Sequence, residues 1–108
     1  MKQINAIKSL SALAHDGRLT LIRLLIQAGP DGVGAGDLAK SADVGPTTAS
    51  AQLLVLMNAG LVSSQRNGRF ITYFSNFTHL RELMQFLLHD CCAGREEICC
   101  GLISEREA

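Results

Sequence analysis

All four cysteines of this 108-residue chain fall within ten residues near its C-terminus. They form two adjacent pairs, Cys91-Cys92 and Cys99-Cys100, with six residues between the pairs. In a reducing cytosol a disulfide framework is not expected, and soft thiolates select thiophilic ions. Trivalent arsenic and antimony form three bonds to sulfur and have the same softness. The cluster therefore predicts a thiolate site for a metal or metalloid.

The spacing of the cysteines restricts how they can meet. In an unbroken helix Cys92 and Cys99 would share a face but lie about 10.5 Å apart, too far to bind one ion. Gly94 is placed to break such a helix, so that Cys99 or Cys100 can fold back onto Cys91 and Cys92. We expect Cys91 and Cys92 to be ligands, and we favour Cys99 over Cys100 as the third.

Other interpretations of the cysteine cluster stay open. Four sulfurs match a tetrahedral zinc or cadmium site. Disulfides between the two pairs would make the tail a redox or persulfide sensor. The cysteines could also be small buried hydrophobes, although an acidic stretch beside a glycine suits a core poorly. His15, His79 and His89 lack ligand spacing, and we expect them to lie at the surface or in ordinary hydrogen bonds.

The composition, with 47% hydrophobic residues and ten basic against ten acidic ones, is typical of one globular domain. No apolar stretch approaches the roughly 20 residues of a membrane span, and the N-terminus lacks a secretory signal, so we expect a cytoplasmic protein. There is no glycine-rich phosphate loop and no pair of carboxylates in a credible pocket, which argues against an enzyme and a small-molecule substrate.

The apolar spacing predicts mainly helical structure with one small hairpin. The predicted helices span 4–13, 16–28, 37–42, 46–59 and 78–92, with Asp16 as the cap of the second and residues 32–36 as a connection. Two β-prone runs, 61–65 and 70–74, flank an Asn67-Gly68 pair, which predicts a hairpin with a type I′ turn. On the second helix the expected core stripe is Leu19, Ile22, Leu25 and Ile26, widened by Leu21 and Leu24. On the first helix, Ile4, Ile7, Leu10 and Leu13 recur every three residues, which indicates an amphipathic helix. The residues expected to share one face are Leu38, Ala39 and Ala42 on the third helix, pointing inward, and Ala49, Leu53, Leu56 and Met57 on the fourth.

This order of elements is that of a winged helix-turn-helix, a fold that binds double-stranded DNA. The outer face of the fourth helix has polar side chains that are short enough for the helix to lie in a major groove. Gln52 could form two hydrogen bonds with adenine. Residues 45–77 contain two arginines and no acidic residue, so this segment, and not the net charge of the whole chain, would attract a polyanion. The predicted DNA contacts are Thr47, Thr48, Ser50, Gln52, Arg66 and Arg69.

Five segments in this order resemble the ArsR/SmtB family of metal-responsive repressors. Residues 12–19, Ala-Leu-Ala-His-Asp-Gly-Arg-Leu, are similar to the family's A-L-A-D-P-x-R-L, and residues 50–56 are similar to S-H-Q-L-x-x-L. The other matching segments are 37–39, 59–62 and 66–73, the last similar to R-x-G-R-x-x-x-Y. The resemblance implies a homodimer that pairs through its first and last helices, binds an operator and leaves it when a toxic ion binds.

The chain departs from this family at its known sensor positions. Val33 to Asp37 stand where some members carry a cysteine pair, and neither Phe77-Thr78-His79 nor residues 90–93 match the zinc site of others. Ala51 replaces the usual His or Arg. The C-terminal cysteines resemble instead members that respond to trivalent arsenic. We therefore expect a DNA-binding and dimerisation domain over 1–92 and an acidic sensor tail over 93–108, with As(III) or Sb(III) as inducer.

Overall fold

The computed structural model describes residues 1–88. Within that part the helices are α1 (Gln3–Leu13), α2 (Asp16–Ala28), α3 (Ala35–Ala42), α4 (Pro46–Asn58) and α5 (Phe77–Leu88). The strands are β1 (Val33–Gly34), β2 (Val62–Asn67) and β3 (Phe70–Ser75), and a 3₁₀ turn spans Gly29–Asp31. This confirms the predicted mainly helical architecture with a hairpin. Among the described residues no helix is both long and apolar enough to cross a bilayer.

The core lies where α2, α3 and α4 pack against one another and against β3. The largest fully buried apolar side chains are Leu21, Ile22, Leu25, Leu38, Leu53, Leu56 and Leu61. On α3 and α4 these are the inward residues that the spacing predicted. On α2, Leu21, Ile22 and Leu25 are buried as predicted, but the prediction was wrong for Leu19 and Ile26, which are exposed because they lie at the edges of this buried face.

The hairpin belongs to a three-stranded antiparallel sheet in the order β1-β3-β2. The sequence predicted only a connection where β1 lies, and it started the third helix at Asp37, two residues late. In β1, Val33 pairs with Tyr73 and Gly34 with Thr72. A strand of two residues is too short to show an alternation of apolar and polar residues in the sequence. It forms because it pairs with the edge of β3.

The predicted type I′ turn was wrong, although the hairpin itself was right. Asn67 is the last residue of β2 and pairs with Phe70, so the two central residues of the turn are Gly68 and Arg69. Gly68 has a φ of 66°, and glycine at the first central position is typical of a type II′ turn. Glycine is favoured in both type I′ and type II′ turns, so the Asn-Gly motif alone could not show which residues of β2 and β3 pair with each other.

Asp16 was also wrongly predicted as the cap of α2, because His15 takes this role. His15 has extended backbone angles, and its Nδ1 accepts hydrogen bonds from the backbone N–H groups of Gly17, at 3.1 Å, and Arg18, at 3.4 Å. An imidazole nitrogen with a free lone pair can thus replace the usual carboxylate at the start of a helix. Asp16 is instead the first helical residue.

Gly32 fixes the entry into β1, and we expect Gly32→Ala to lower the free energy of unfolding by at least about 2 kcal/mol. Its φ is 75°, and an added Cβ would lie 2.5 Å from the carbonyl oxygen of Tyr73 and 2.6 Å from the ring of Phe74. The matched control is Gly36→Ala, where a Cβ in α3 meets nothing within 4 Å. Urea denaturation should show the control unchanged or up to about 1 kcal/mol more stable. A Gly32→Ala protein as stable as that control would contradict this account.

Candidate nucleic-acid interface

Helix α4 presents an uncharged polar face to solvent. Pro46 is its first residue, and Ala49, Leu53 and Leu56 point into the core, which leaves the opposite side exposed. The exposed residues of its first two turns include three of the predicted DNA contacts, Thr47, Thr48 and Ser50, and also Ala51. No charged residue occurs from Val44 to Gln65. This face therefore offers hydroxyl and methyl groups, without any charge, to whatever binds it.

Gln52 does not lie on that exposed face. It is half-buried, and its Oε1 accepts a hydrogen bond of 2.9 Å from Nη1 of Arg18. Arg18 also donates from Nε to the carbonyl oxygen of Ala12, at 2.6 Å. Two-point bonding of adenine would need the amide oxygen of Gln52, which the guanidinium already holds. In this arrangement Gln52 positions α4 against α1 and α2.

This role of Arg18 was not predicted from the sequence. The residue lies within the segment that resembles the family's opening motif, but it is separated from Gln52 by 34 positions. Nothing local predicts a contact over that distance. Only the packing of α2 against α4 brings the two side chains together.

Arg66 and Arg69 both lie exposed at the tip of the hairpin, as the sequence predicted. Arg66 is the penultimate residue of β2, opposite Ile71, and Arg69 occupies the turn itself. They are the only charged residues from 45 to 77. The positive charge that follows α4 is thus concentrated in this projecting tip.

A polar cluster holds the C-terminal end of α4. His79 Nε2 and Ser9 Oγ are 2.8 Å apart, and Ser9, which is fully buried, lies 3.4 Å from the carbonyl oxygen of Ala59. Asn76 donates from Nδ2 to the carbonyl oxygen of Gly60, at 3.1 Å. The cluster therefore connects α1, the end of α4 and the start of α5. His79 is in ordinary hydrogen bonds, as expected.

Comparison with known proteins identifies the family. No protein-family model and no curated protein matches the chain. A crystal structure of fragment 1–100 of a possible transcriptional regulatory protein from Mycobacterium bovis is 30% identical, with a TM-score of 0.64, over 79% of this chain and 91% of that one. The NMR structure of this fragment, at 28% identity, a TM-score of 0.64 and 82% of each chain, is described as a homodimeric winged helix-turn-helix DNA-binding domain of a possible ArsR-family regulator. The chain belongs to the ArsR family.

Two further solved structures support this ArsR-family assignment. The transcriptional repressor BigR from Xylella fastidiosa is 28% identical, with a TM-score of 0.60, over 76% of this chain and 84% of that one. A possible transcriptional regulator for arsenical resistance is 29% identical, with a TM-score of 0.65, over 74% and 80%. One of these is a repressor and the other a possible regulator, and together with the M. bovis NMR structure they confirm the predicted winged helix-turn-helix fold.

Two helices of this ArsR-family chain expose apolar faces. On α1, Ile4 is 72% and Ile7 57% exposed, while the small residues Ala6, Ser9 and Ala12 face the rest of the domain. On the amphipathic stripe predicted for α1, Ile4, Ile7 and Leu10 thus point outwards, and Leu13 packs against the core. On α5, Phe77, Met84 and Leu87 are exposed and Leu83 alone is fully packed. The two helices together present apolar surface that residues 1–88 leave exposed.

The predicted thiolate ligands Cys91, Cys92, Cys99 and Cys100 lie outside the described residues, as does His89. Within residues 1–88, no group of three or more His, Cys, Asp and Glu side chains could hold a metal ion. The predicted boundary between a domain and a tail at residue 92 also lies beyond the described part. The metal or metalloid site therefore stays a prediction from the sequence.

A double-mutant cycle tests the link between Arg18 and Gln52. We expect Arg18→Ala and Gln52→Ala each to lower the free energy of unfolding by about 1 to 2 kcal/mol, with Arg18→Ala costing more because it also frees the carbonyl of Ala12. The double variant should lose about 1 kcal/mol less than the sum, because the shared bond is removed once.

Arg23→Ala is the control for this cycle, since Arg23 is an exposed arginine on the same helix. Its unfolding free energy should stay within about 0.5 kcal/mol of the wild-type value. Strictly additive losses from Arg18→Ala and Gln52→Ala in urea denaturation would show that the bond does not hold α4.

Proposed function

We propose that the chain is a transcriptional repressor that binds double-stranded operator DNA as a homodimer and dissociates when trivalent arsenic or antimony binds. The thiolates of Cys91 and Cys92, with Cys99 or Cys100 as the third ligand, hold the metalloid. The observation that carries the DNA-binding part is the exposed, uncharged face of α4 followed by a hairpin with two arginines at its tip.

The exposed face of α4 and the tip of the hairpin have different roles in DNA binding. Thr47, Thr48 and Ser50 can hydrogen-bond to base edges or phosphates from the major groove, and Ala51 offers a methyl group to thymine. Because α4 has no charge, electrostatic attraction to the phosphates rests on Arg66 and Arg69. The helix then selects the sequence, and the hairpin supplies the charge-dependent share of the affinity.

The homodimer is supported by the exposed apolar faces of α1 and α5. A chain of this size has too little interior for all its apolar residues, and Ile4, Ile7, Met84 and Leu87 remain uncovered. The similar M. bovis fragment is a homodimer. Pairing through these helices sets the distance between the two α4 helices, which must match successive major grooves about 34 Å apart.

The polar cluster around Ser9 and His79 supports a route from the cysteines to the DNA. The cysteine segment follows α5 directly in the chain, and α5 is tied through Asn76 to the carbonyl oxygen of Gly60, just after α4. A displacement of α5 must therefore break these bonds or move the end of α4. We infer that metalloid binding displaces α5 and spoils the spacing of the two α4 helices.

Ion-triggered release tests the effector. The operator duplex is obtained by selection from a randomised library. Its release from the protein is followed by fluorescence anisotropy, with As(III), Sb(III), Cd(II) and Zn(II) under reducing conditions and with peroxide in parallel. We expect release by As(III) or Sb(III) at low concentration. Cys91→Ser and Cys92→Ser should bind the duplex normally and stay bound, since each has lost a ligand.

Other outcomes of this experiment are decisive. Release by Cd(II) or Zn(II) alone would indicate a four-sulfur metal site instead of a metalloid site. Release by peroxide alone would indicate that the cysteine tail is a redox sensor. A Cys91→Ser variant that still leaves the duplex at the wild-type As(III) concentration would refute the assigned ligands. If the selection enriches no DNA sequence, the proposal that the chain is a sequence-specific repressor is wrong.

The salt dependence of DNA affinity tests the phosphate contact of Arg69. Each neutralised phosphate contributes about −0.9 to the slope of log K against log salt. Arg69→Ala removes one contact per subunit, so the slope should become shallower by about 2 for the dimer. Arg23→Ala, which removes an exposed arginine of α2, serves as the control with an unchanged slope. An unaltered slope in Arg69→Ala would rule out the phosphate contact.

A further inference from the structure

A groove of about 610 Å³ runs between α1 and α4. Its walls include the apolar residues Ile4 and Ile7 of α1 and Val55 of α4, and all three are exposed in residues 1–88. Two cations also line the groove, Lys8 on α1 and Arg18 on α2, and none of the described residues around it is acidic. An exposed apolar surface beside positive charges fits an occupant that has both apolar side chains and carboxylates.

The part of the chain that follows α5 has this composition. Residues 96–107, which we call the acidic segment, contain four of the five glutamates of the chain and one arginine. The segment also contains the apolar residues Ile98, Leu102 and Ile103. Its carboxylates are complementary to the two cations of the groove, and its apolar side chains are complementary to the apolar walls.

The chain leaves α5 close to one end of this groove. His79 in the first turn of α5 is hydrogen-bonded to Ser9, whereas Phe86 near the other end of α5 lines a small cavity together with Met1. The two helices are therefore antiparallel, and α5 ends beside the start of α1. Helix α1 is about 16 Å long, a distance that about five extended residues cover. Residues 89–95 are thus enough to bring the acidic segment to the groove.

The same groove of a second copy is a less suitable occupant. A two-fold interface places identical patches against each other, so Lys8 and Arg18 would face the same cations. The dimer proposed above uses α1 and α5, and the wall that Val55 of α4 forms takes no part in it. Docking of the acidic segment pairs opposite charges instead. Since a flexible connection within one chain gives an effective concentration of about millimolar, weak ion pairs are sufficient.

We propose that the acidic segment docks in the groove between α1 and α4 of its own chain, with its glutamates at Lys8 and Arg18, and that the docked segment weakens DNA binding. Arg18 donates hydrogen bonds to Gln52 of α4 and to Ala12. A carboxylate at this guanidinium competes with the amide of Gln52, because hydrogen bonds between charged groups are stronger. It also adds negative charge beside α4, which repels DNA phosphates. The docking goes beyond the proposed function, and only its effect on DNA rests on that function.

Zero-length cross-linking of the full chain tests the docking. A carbodiimide joins a carboxylate to an amine only where the two groups are in contact, and the lysines of the chain are Lys2, Lys8 and Lys40. In reducing buffer without metal, mass spectrometry should find the glutamates of the acidic segment joined mainly to Lys8. Lys40, which is exposed on α3, is the internal control. The yield at Lys8 should fall about threefold or more between about 0.05 and 1 M salt, because screening weakens the ion pairs.

Isotope mixing shows whether the contact lies within one chain. Unlabelled and ¹⁵N-labelled proteins are refolded together before cross-linking, and we expect the cross-linked peptides at Lys8 to be wholly labelled or wholly unlabelled. Mixed peptides would assign the groove to the segment of a second copy and would overturn docking within one chain. Equal yields at Lys8 and Lys40, or a yield at Lys8 that salt does not change, would show that the groove does not bind the segment.

A double-mutant cycle on DNA affinity tests the inhibitory effect. The neutralised variant carries four substitutions in the acidic segment, Glu96→Gln, Glu97→Gln, Glu105→Gln and Glu107→Gln. It should bind the selected duplex about fivefold more tightly than the wild-type protein, because no carboxylate is held beside α4. Combined with Lys8→Gln, the gain should fall to about twofold or less, whereas combined with the control Lys40→Gln it should stay the same.

The outcomes of this cycle separate the docking from a general effect of charge. Equal gains in the Lys8→Gln and Lys40→Gln backgrounds would show that only net charge acts, and inhibition by docking would be wrong. An unchanged affinity of the neutralised variant would lead to the same conclusion. If the wild-type protein binds no duplex, the proposed repressor is wrong, and the cross-linking still decides whether the segment docks.

Discussion

Helix α4 is held by the packing of Ala49, Leu53 and Leu56 in the core and by hydrogen bonds from its neighbours at its middle and its end. Arg18 holds Gln52 at the middle of the helix. Ser9 and Asn76 reach the carbonyl oxygens of Ala59 and Gly60, which follow the last turn and have no partner within the helix. The exposed face of α4 is therefore oriented by α1, α2 and α5, whose own side chains do not need to touch DNA.

The same two helices that expose apolar surface also hold the end of α4. On α1 the large residues Ile4 and Ile7 face outwards, and the small Ser9 faces inwards to His79. Small side chains on the inner face allow α1 to approach the domain closely, and the larger ones are left for a partner subunit. In the proposed dimer a change at the subunit interface acts on helices that already contact the end of α4. No additional element is needed to connect the two.

The helices and the hairpin, which have repeated apolar spacing, were predicted well from the sequence. Features that depend on one or two residues, such as turns, caps and very short strands, were predicted poorly. The inward faces of α3 and α4 and the hairpin follow from repeated spacing, which survives a local error. The turn at Gly68, the cap at His15 and the two-residue strand β1 each depend on one contact, so several local patterns were compatible with the same residues. Gln52 lay on the polar side of α4 by periodicity, and only Arg18, 34 positions away, fixes its role. The cysteines are known from the sequence alone.

The charge distribution limits how such a repressor could work. The chain has a formal net charge of zero, and its charge between residues 45 and 77 is confined to two arginines. Few phosphate contacts give a shallow dependence on salt, so specific affinity must come from uncharged contacts of α4 and the hairpin, which depend on correct spacing of the two subunits. A coupling of only about 1 to 3 kcal/mol between ion and operator changes affinity 5- to 150-fold. In the proposed mechanism, a modest displacement of α5, transmitted through Asn76 to Gly60, would be sufficient, and by reciprocity operator DNA would weaken ion binding by the same factor.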